Sequence, residues 1–252
     1  MTAASRLFGL AVMILALVCL ASGDFDPGQP VPKDLPARTL LAYAVAILLL
    51  ACGAAIEFRR TMARAAAVLA AWYLVVVVVV MNGPIALAHR AEFGAYSGIA
   101  EQLAVAAAAL IVYGRSADID ARRAARLARI GAATFGVCAI AFGGAHFAYP
   151  ELTAPLVPRW LPPSQMFWAF ATGVAQIAAG LAILSGIGAR AAGIALTILY
   201  VVFALLVHAP MLVADPSNHG VLSENALNLV LTGAAWIVAD AFGARRRKGP
   251  AG

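Results

Sequence analysis

Six polar side chains in the second half of the chain lie within or beside long apolar segments. They are His146, Gln176, His208, Glu224, Asn225 and Asn228. Polar groups are costly inside a membrane, so their presence there indicates a functional site. Imidazole and carboxyl groups transfer protons, and together with amides they hydrogen-bond the carbonyls of a quinone. We therefore predict a ligand or proton site in the C-terminal half.

A weaker counterpart of this set lies in the first half of the chain. Its residues are Asp24, Asn82, Glu101 and Gln102, which align in that order with His146, His208, Glu224 and Asn225. The positions that align with Gln176 and Asn228 are apolar. If only one half carries a site, it is therefore predicted to be the C-terminal half.

Structural roles are the alternative for several of these residues. Ser223 is a candidate N-cap, which would place Glu224 in the first helical turn, where the helix dipole favours an acid. His208 would anchor the loop that follows it, and His89 and His219 are expected in exposed loops. The three cysteines have neither CxxC spacing nor a nearby histidine, so no metal site is predicted.

Composition indicates which elements position these residues. Hydrophobic residues form 63% of the 252 residues and charged residues 12%, against about 45–50% and about 25% in soluble domains. The mean hydropathy is +0.89. These values exclude a soluble cytosolic enzyme, a disordered chain and a coiled coil. Eight apolar runs are long enough to cross a bilayer as helices, at approximately 6–22, 38–56, 64–83, 98–114, 129–148, 165–185, 190–208 and 222–241.

The distribution of basic residues predicts the orientation. Fourteen of the 18 Lys and Arg residues fall at one end of these helices and four at the other. Because basic residues favour cytoplasmic loops, both termini are predicted in the cytoplasm, with the protein in the bacterial inner membrane. The net charge of +6 then reflects topology, and nucleic acid is not expected as a partner. A cleaved signal sequence at 6–22 is the alternative to a retained first helix.

An internal duplication organises the chain. MARAA at 62–66 matches GARAA at 188–192, and Pro84 matches Pro210, both at an offset of 126 residues. Four helices separate the copies, so both have the same orientation. The predicted fold class is an all-α integral membrane protein with eight transmembrane helices in two parallel four-helix bundles. Its parts are a first unit at 1–114, a basic linker at 115–128, a second unit at 129–242 and a basic cytoplasmic tail at 243–252.

Three motifs of the second unit carry a family resemblance. They are GGAHF at 143–147, VPRWLPP at 157–163 and GARAAG at 188–193. Residues 128–240 resemble the DoxX-like family of small bacterial four-helix membrane proteins, and the whole chain resembles two fused units of this kind. The resemblance implies an inner-membrane bundle, and the founding members are associated with a thiosulfate:quinone oxidoreductase. Many family members have Glu and Lys where this sequence has Gln176 and His146.

Three functions compete for this sequence. The first is a redox accessory subunit that meets a quinone, the cofactor that this role would use, or a partner oxidoreductase. The second is a small-molecule carrier or permease, because eight helices in two parallel halves are typical of small transporters. The third is a scaffold or assembly factor that works through partner binding or self-association in the bilayer. Because the sequence has no nucleotide loop and no complete catalytic constellation, whether it is an enzyme stays open.

Overall fold

The computed structural model describes residues 1–246, and most of the predicted basic tail at 243–252 lies outside them. The described residues form helices and loops, without strands. Among residues 1–246, eight helices are long and apolar enough to cross a membrane, which confirms the predicted number and indicates a multi-pass membrane protein. They are α1 (Ala3–Ser22), α2 (Arg38–Ile56), α3 (Met62–Ala88), α4 (Phe93–Ser116), α5 (Ala121–Ala148), α6 (Gln165–Ser185), α7 (Ala189–Ala214) and α8 (His219–Arg246).

Short polar side chains cap the helix starts. The side chains of Thr2, Asp120 and Ser164 each accept a hydrogen bond from the backbone N–H three residues further on. Asp120 therefore starts α5 within the predicted linker at 115–128, and only residues 117–120 separate α4 from α5. Such side-chain acceptors satisfy N–H groups that have no partner within the helix.

The start of α8 differs from the expectation. Asn218 caps it by accepting a hydrogen bond from the Val221 N–H at 3.2 Å. The expected cap, Ser223, lies inside the helix and is buried, so the prediction of its role was wrong. As a result, Glu224 is beyond the first turn of α8. The helix starts earlier because Asn218 offers a capping oxygen one turn before the first apolar residues.

Helix packing follows the order of the chain. Each helix packs against the next one, and α8 also packs against α1 and α4. The contact between α1 and α2 is close because Gly9 faces Gly53, and the contact between α5 and α6 is close because Gly136 faces Gly180. Small residues at such positions let helix backbones approach each other.

The third and seventh helices share an irregularity. The middle of α3 is π-helical over Trp72–Asn82, and α7 is π-helical over Ala204–His208. Pro84 and Pro210 each lie two residues after the end of these stretches. Proline has no N–H to donate, so the helix before each proline must rearrange its hydrogen bonds.

The two ends of the molecule differ in their connections. At the loop end, residues 23–37, 89–92, 149–164 and 215–218 connect the helices. At the arginine-rich end, residues 57–61, 117–120 and 186–188 form short turns. The predicted polar site residues lie mainly toward the loop end.

Candidate functional site

Two of the six predicted C-terminal residues interact directly. His146 at the end of α5 and Gln176 in α6 approach through their Nε2 atoms, which are 3.1 Å apart. The Nδ1 atom of His146 lies 3.3 Å from the hydroxyl of Thr172, and this hydroxyl also donates to the Trp168 carbonyl at 2.8 Å. The pattern fits a neutral imidazole that donates from Nδ1 and accepts the Gln176 amide N–H at Nε2. We call His146, Thr172 and Gln176 the C-terminal polar cluster.

The other four predicted C-terminal residues stay apart from this cluster. Asn228 is buried and donates to the backbone carbonyl of Tyr200 at 3.0 Å, and Asn225 donates to the Val221 carbonyl at 2.8 Å. Both amides therefore use their N–H groups on backbone, and Asn228 joins α8 to α7. The Glu224 side chain is exposed. The Nδ1 atom of His208 is buried and has no hydrogen-bond partner among the described residues.

The first long loop, residues 23–37, folds onto the helices. Arg38 forms an ion pair with Asp24, and its guanidinium lies over the Phe25 ring, 5.4 Å from the centroid. His219 makes a hydrogen bond with the Phe25 carbonyl at 2.8 Å. Asn82 donates to the Gly28 carbonyl at 3.1 Å. Contacts from α2, α3 and α8 thus hold this loop against the protein.

Four polar side chains from this loop and two helices are buried together. Asp26 and Gln29 of the loop, Tyr73 of α3 and Gln102 of α4 are each at most 2% exposed. A Cβ atom placed on Gly28 would overlap the Gln102 amide and would lie 2.9 Å from Asp26 Oδ1, so the loop backbone rests directly on Gln102. We call Asp26, Gln29, Tyr73 and Gln102 the N-terminal polar cluster.

Most polar atoms of the N-terminal polar cluster lack partners. Both amide atoms of Gln29 and of Gln102, and the Tyr73 hydroxyl, form no hydrogen bond of normal geometry within the described part of the chain. The side chains of Tyr73 and Gln29 lie near each other, but their polar atoms do not form a hydrogen bond of normal geometry. A buried group without a partner costs about 1–3 kcal/mol, so a concentration of five such atoms indicates that water or a ligand completes the site.

Charged groups surround this cluster. Burial raises the pKa of the Asp26 carboxyl to about 6, although the Gly28 N–H and the nearby His219 oppose the shift. Glu101 lies close enough to Asp26 for the two carboxyl groups to repel each other. A cluster with a carboxyl group that titrates near neutral pH is suited to proton exchange.

The predicted N-terminal residues have divergent roles. Gln102 belongs to the N-terminal polar cluster, and Glu101 lies beside it. Asp24 and Asn82 instead hold the first loop in place. The expectation that His219 is loop-exposed was wrong, because it is the first residue of α8 and is half-buried against the first loop.

Sequence reasoning missed Asp26, Gln29 and Tyr73. The first two lie in a segment rich in Pro and Gly, which is the usual pattern of a solvated loop. Tyr73 stands beside Trp72 in an apolar run and has the pattern of an interface aromatic. No group of three or more His, Cys, Asp or Glu side chains among residues 1–246 is arranged to bind a metal.

A cavity of about 330 Å³ lies at the opposite, arginine-rich end of the molecule. Its lining includes Ser5 of α1, Arg59, Arg115 of α4 and Asp240 of α8. Helices α1, α3, α4 and α8 thus meet at this cavity and also carry or flank the N-terminal polar cluster. Between the two sites the interior is apolar, with Phe8, among others, fully buried.

Comparison with known proteins gives one family match. Residues 135–239, less than half of the chain, match the family described as a domain of unknown function (DUF8561). Neither the curated proteins nor the solved structures contain a match to the chain. The matched region includes the C-terminal polar cluster, whereas the N-terminal polar cluster lies outside it.

Proposed function

We propose that the chain is a DoxX-like protein of the bacterial inner membrane, built as two parallel four-helix units with both termini in the cytoplasm. The concentration of basic residues at one end supports this orientation. The offset of 126 residues between matching segments supports the duplication. The duplication is also supported by two pairs of facing glycines, Gly9–Gly53 and Gly136–Gly180, because the members of each pair are 44 residues apart.

Within this frame, we propose that the protein binds a quinone-type head group as an accessory subunit of a membrane oxidoreductase. The observation that carries the proposal is the N-terminal polar cluster, with five buried polar atoms that lack partners. Its amides offer donors and acceptors, and the Tyr73 hydroxyl offers both. A quinone presents two carbonyl acceptors and, when reduced, two hydroxyl donors, which match these groups.

Each side chain has a distinct part in this proposal. The amide N–H groups of Gln102 and Gln29 donate to head-group oxygens, and Tyr73 accepts from or donates to the same oxygens. Asp26 gains or loses a proton near neutral pH. The folded first loop excludes water, which strengthens these hydrogen bonds. The C-terminal polar cluster supports this role less, because His146, Thr172 and Gln176 already bond to one another.

Fluorescence titration tests the proposal, because Trp72 is adjacent to Tyr73 and a bound quinone would quench it. Purified protein is titrated with a short-chain quinone in mild detergent. We expect saturable quenching, lost in the Trp72→Phe variant. We expect Gln102→Leu to weaken quinone binding about tenfold, because it removes one or two hydrogen bonds to the head group. The matched control Gln176→Leu should change the affinity less than about twofold. The reverse order of effects would move the site to the C-terminal polar cluster, and no quenching in the wild type would refute quinone binding.

A carrier is the second candidate function. The observation in its favour is that α3 and α4, which carry Tyr73 and Gln102 of the N-terminal polar cluster at the loop end, also line the cavity at the arginine-rich end. Along α4, Gln102 and the cavity-lining Val112 are ten residues apart, or about 15 Å, so the apolar barrier between the sites is short. Flux of a solute into liposomes that is abolished by Gln102→Leu would favour a carrier over an accessory subunit.

A further inference from the structure

Two apolar grooves open at the loop end of the molecule. The first has a volume of about 780 Å³ and lies between the first loop and α3. The second has a volume of about 460 Å³ and lies between residues 155–160 and α7. Neither is part of the proposed head-group site.

The grooves occupy matching positions in the two halves of the chain. Four helix residues of the first groove have counterparts in the second at an offset of 126: Val80 and Leu206, Met81 and Val207, Pro84 and Pro210, and Ile85 and Met211. The loop walls match at the same offset, with VPKDLP at 31–36 and VPRWLP at 157–162. Because their walls correspond at the same offset, the two grooves are the same structural feature, present once in each half of the chain.

Each groove has one basic residue on its lining. It is Lys33 in the first groove and Arg159 in the second, again at an offset of 126. Both side chains are exposed, and neither has an ion pair or hydrogen bond within residues 1–246. Arg38, which belongs to the same end, is paired with Asp24.

The chemistry of this combination is that of a phospholipid. Basic residues are scarce at the loop end, with four of 18, so two unpaired ones at equivalent places are unexpected for topology alone. An apolar groove takes an acyl chain, and a cation at its edge takes a phosphate oxygen. We propose that each groove seats one anionic phospholipid, with the acyl chain along α3 or α7 and the phosphate at Lys33 or Arg159.

The two grooves differ in one residue that affects affinity. Asp34 follows Lys33, whereas Trp160 follows Arg159. The carboxylate of Asp34 repels a phosphate, and an indole at the interface does not. The Arg159 groove therefore binds the anionic lipid more tightly than the Lys33 groove.

Native mass spectrometry of the full chain, released from mixed micelles of detergent and phosphatidylglycerol, counts the bound lipids. The wild type retains two phosphatidylglycerol molecules. Lys33→Gln and Arg159→Gln each retain one, and the double variant retains none. Loss of one cation weakens binding at its groove about fivefold. The lipid concentration is therefore set between the dissociation constants of the wild type and the variant, so that the affected groove changes from mostly filled to mostly empty. In the conservative variants Lys33→Arg and Arg159→Lys both lipids stay bound.

Two further sets of variants separate specific lipid binding in the grooves from a general attraction of anionic lipids to basic residues. Arg90→Gln removes a cation at the same end that lines neither groove, and it leaves both lipids bound. Val80→Trp and Leu206→Trp fill one groove each and remove one lipid each without changing the charge. Equal retention of phosphatidylcholine and phosphatidylglycerol overturns the proposal, as does an effect of Arg90→Gln equal to that of Lys33→Gln. Quinone titration is unaffected by Arg159→Gln, so this test fails or succeeds independently of the proposed function.

Discussion

Asp26 shows how far burial can change the ionisation of one side chain. Its pKa is raised from 3.8 to about 6 by desolvation, and the groups that face it are Glu101, His219, Cys19 and Tyr73. The folded protein therefore holds a proton on Asp26 at pH values where the unfolded chain has released it. The contribution of Asp26 to stability therefore falls as the pH rises from about 4 to about 6 and is level above that range.

The variant Asp26→Asn removes this contribution of Asp26 to the pH dependence of stability. The asparagine stays neutral at every pH, and its Oδ1 can still accept from the Gly28 N–H, as Asp26 does at 2.9 Å. We expect the variant to be more stable than the wild type at pH 7 by about 1–3 kcal/mol and equal to it at pH 4. Thermal melting in detergent across this pH range measures the difference. The matched control Asp34→Asn, at an exposed carboxyl of the same loop, has no effect. A stability difference between Asp26→Asn and the wild type that does not grow from pH 4 to pH 6 would contradict the argument.

The residues of the site were predictable only where they lie in the apolar helices. Gln102, Gln176 and His146 stand out because each interrupts an apolar run, and the cost of polar groups in lipid makes such interruptions informative. Asp26 and Gln29 lie in a loop, where polarity carries no such information. Their burial depends on how the loop folds back onto α3, α4 and α8, which is a tertiary property that residue spacing does not encode.

The helix pairs α1–α2 and α5–α6 depend on glycine. A Cβ atom on Gly53 would lie 2.7 Å from the Gly9 carbonyl oxygen, and one on Gly180 would lie 2.5 Å from the Gly136 carbonyl oxygen. Both distances are too short for carbon against oxygen, so Gly53→Ala and Gly180→Ala force the helices apart. We expect each to lower the free energy of unfolding by about 1–3 kcal/mol, by similar amounts, as measured by denaturation in mixed micelles.

Gly98→Ala is the control for this pair of variants. Gly98 also lies in a membrane helix, but nothing is within 4 Å of a Cβ atom built there. Alanine has the better helix propensity, so we expect this variant to be unchanged or more stable by up to about 1 kcal/mol. Destabilisation by all three substitutions alike would show that the contacts of Gly53 and Gly180 are not the cause.

The helices were more predictable than their connections. The eight runs were found from apolar length alone, because bilayer thickness fixes the number of residues needed. The basic linker predicted at 115–128, whose charge pattern fits a short amphipathic helix, is mostly helical but is continuous with α5. The alanines and arginines after Asp120 are good helix formers. The offset of 126 residues already pairs Leu35-Pro36 with Leu161-Pro162, but the extension of this match to VPKDLP and VPRWLP was missed.

The molecule as a whole is closed by contacts that do not follow the chain. Helix α8 packs against α1 and α4, and α4 packs against α5, so both halves share extensive apolar surfaces. Residues 117–120 alone connect α4 to α5. A protease site inserted there and cleaved after purification should leave the two fragments together on size-exclusion chromatography in mild detergent. Separation of the fragments would contradict the observed packing, whereas cleavage without separation supports it.

The orientation of the whole molecule can be tested by labelling introduced cysteines. Cys19, Cys52 and Cys138 are buried, so they provide a weakly reactive background for introduced thiols. Asp34 lies at the loop end and Asp118 at the arginine-rich end, and both side chains are exposed. Because the arginine-rich end is expected to face the cytoplasm, a membrane-impermeant maleimide added to intact spheroplasts should label Asp34→Cys and spare Asp118→Cys. After permeabilisation, both introduced cysteines should be labelled to a similar extent. Labelling of Asp118→Cys alone before permeabilisation would show that the topology is inverted and that the N-terminal polar cluster lies on the cytoplasmic side.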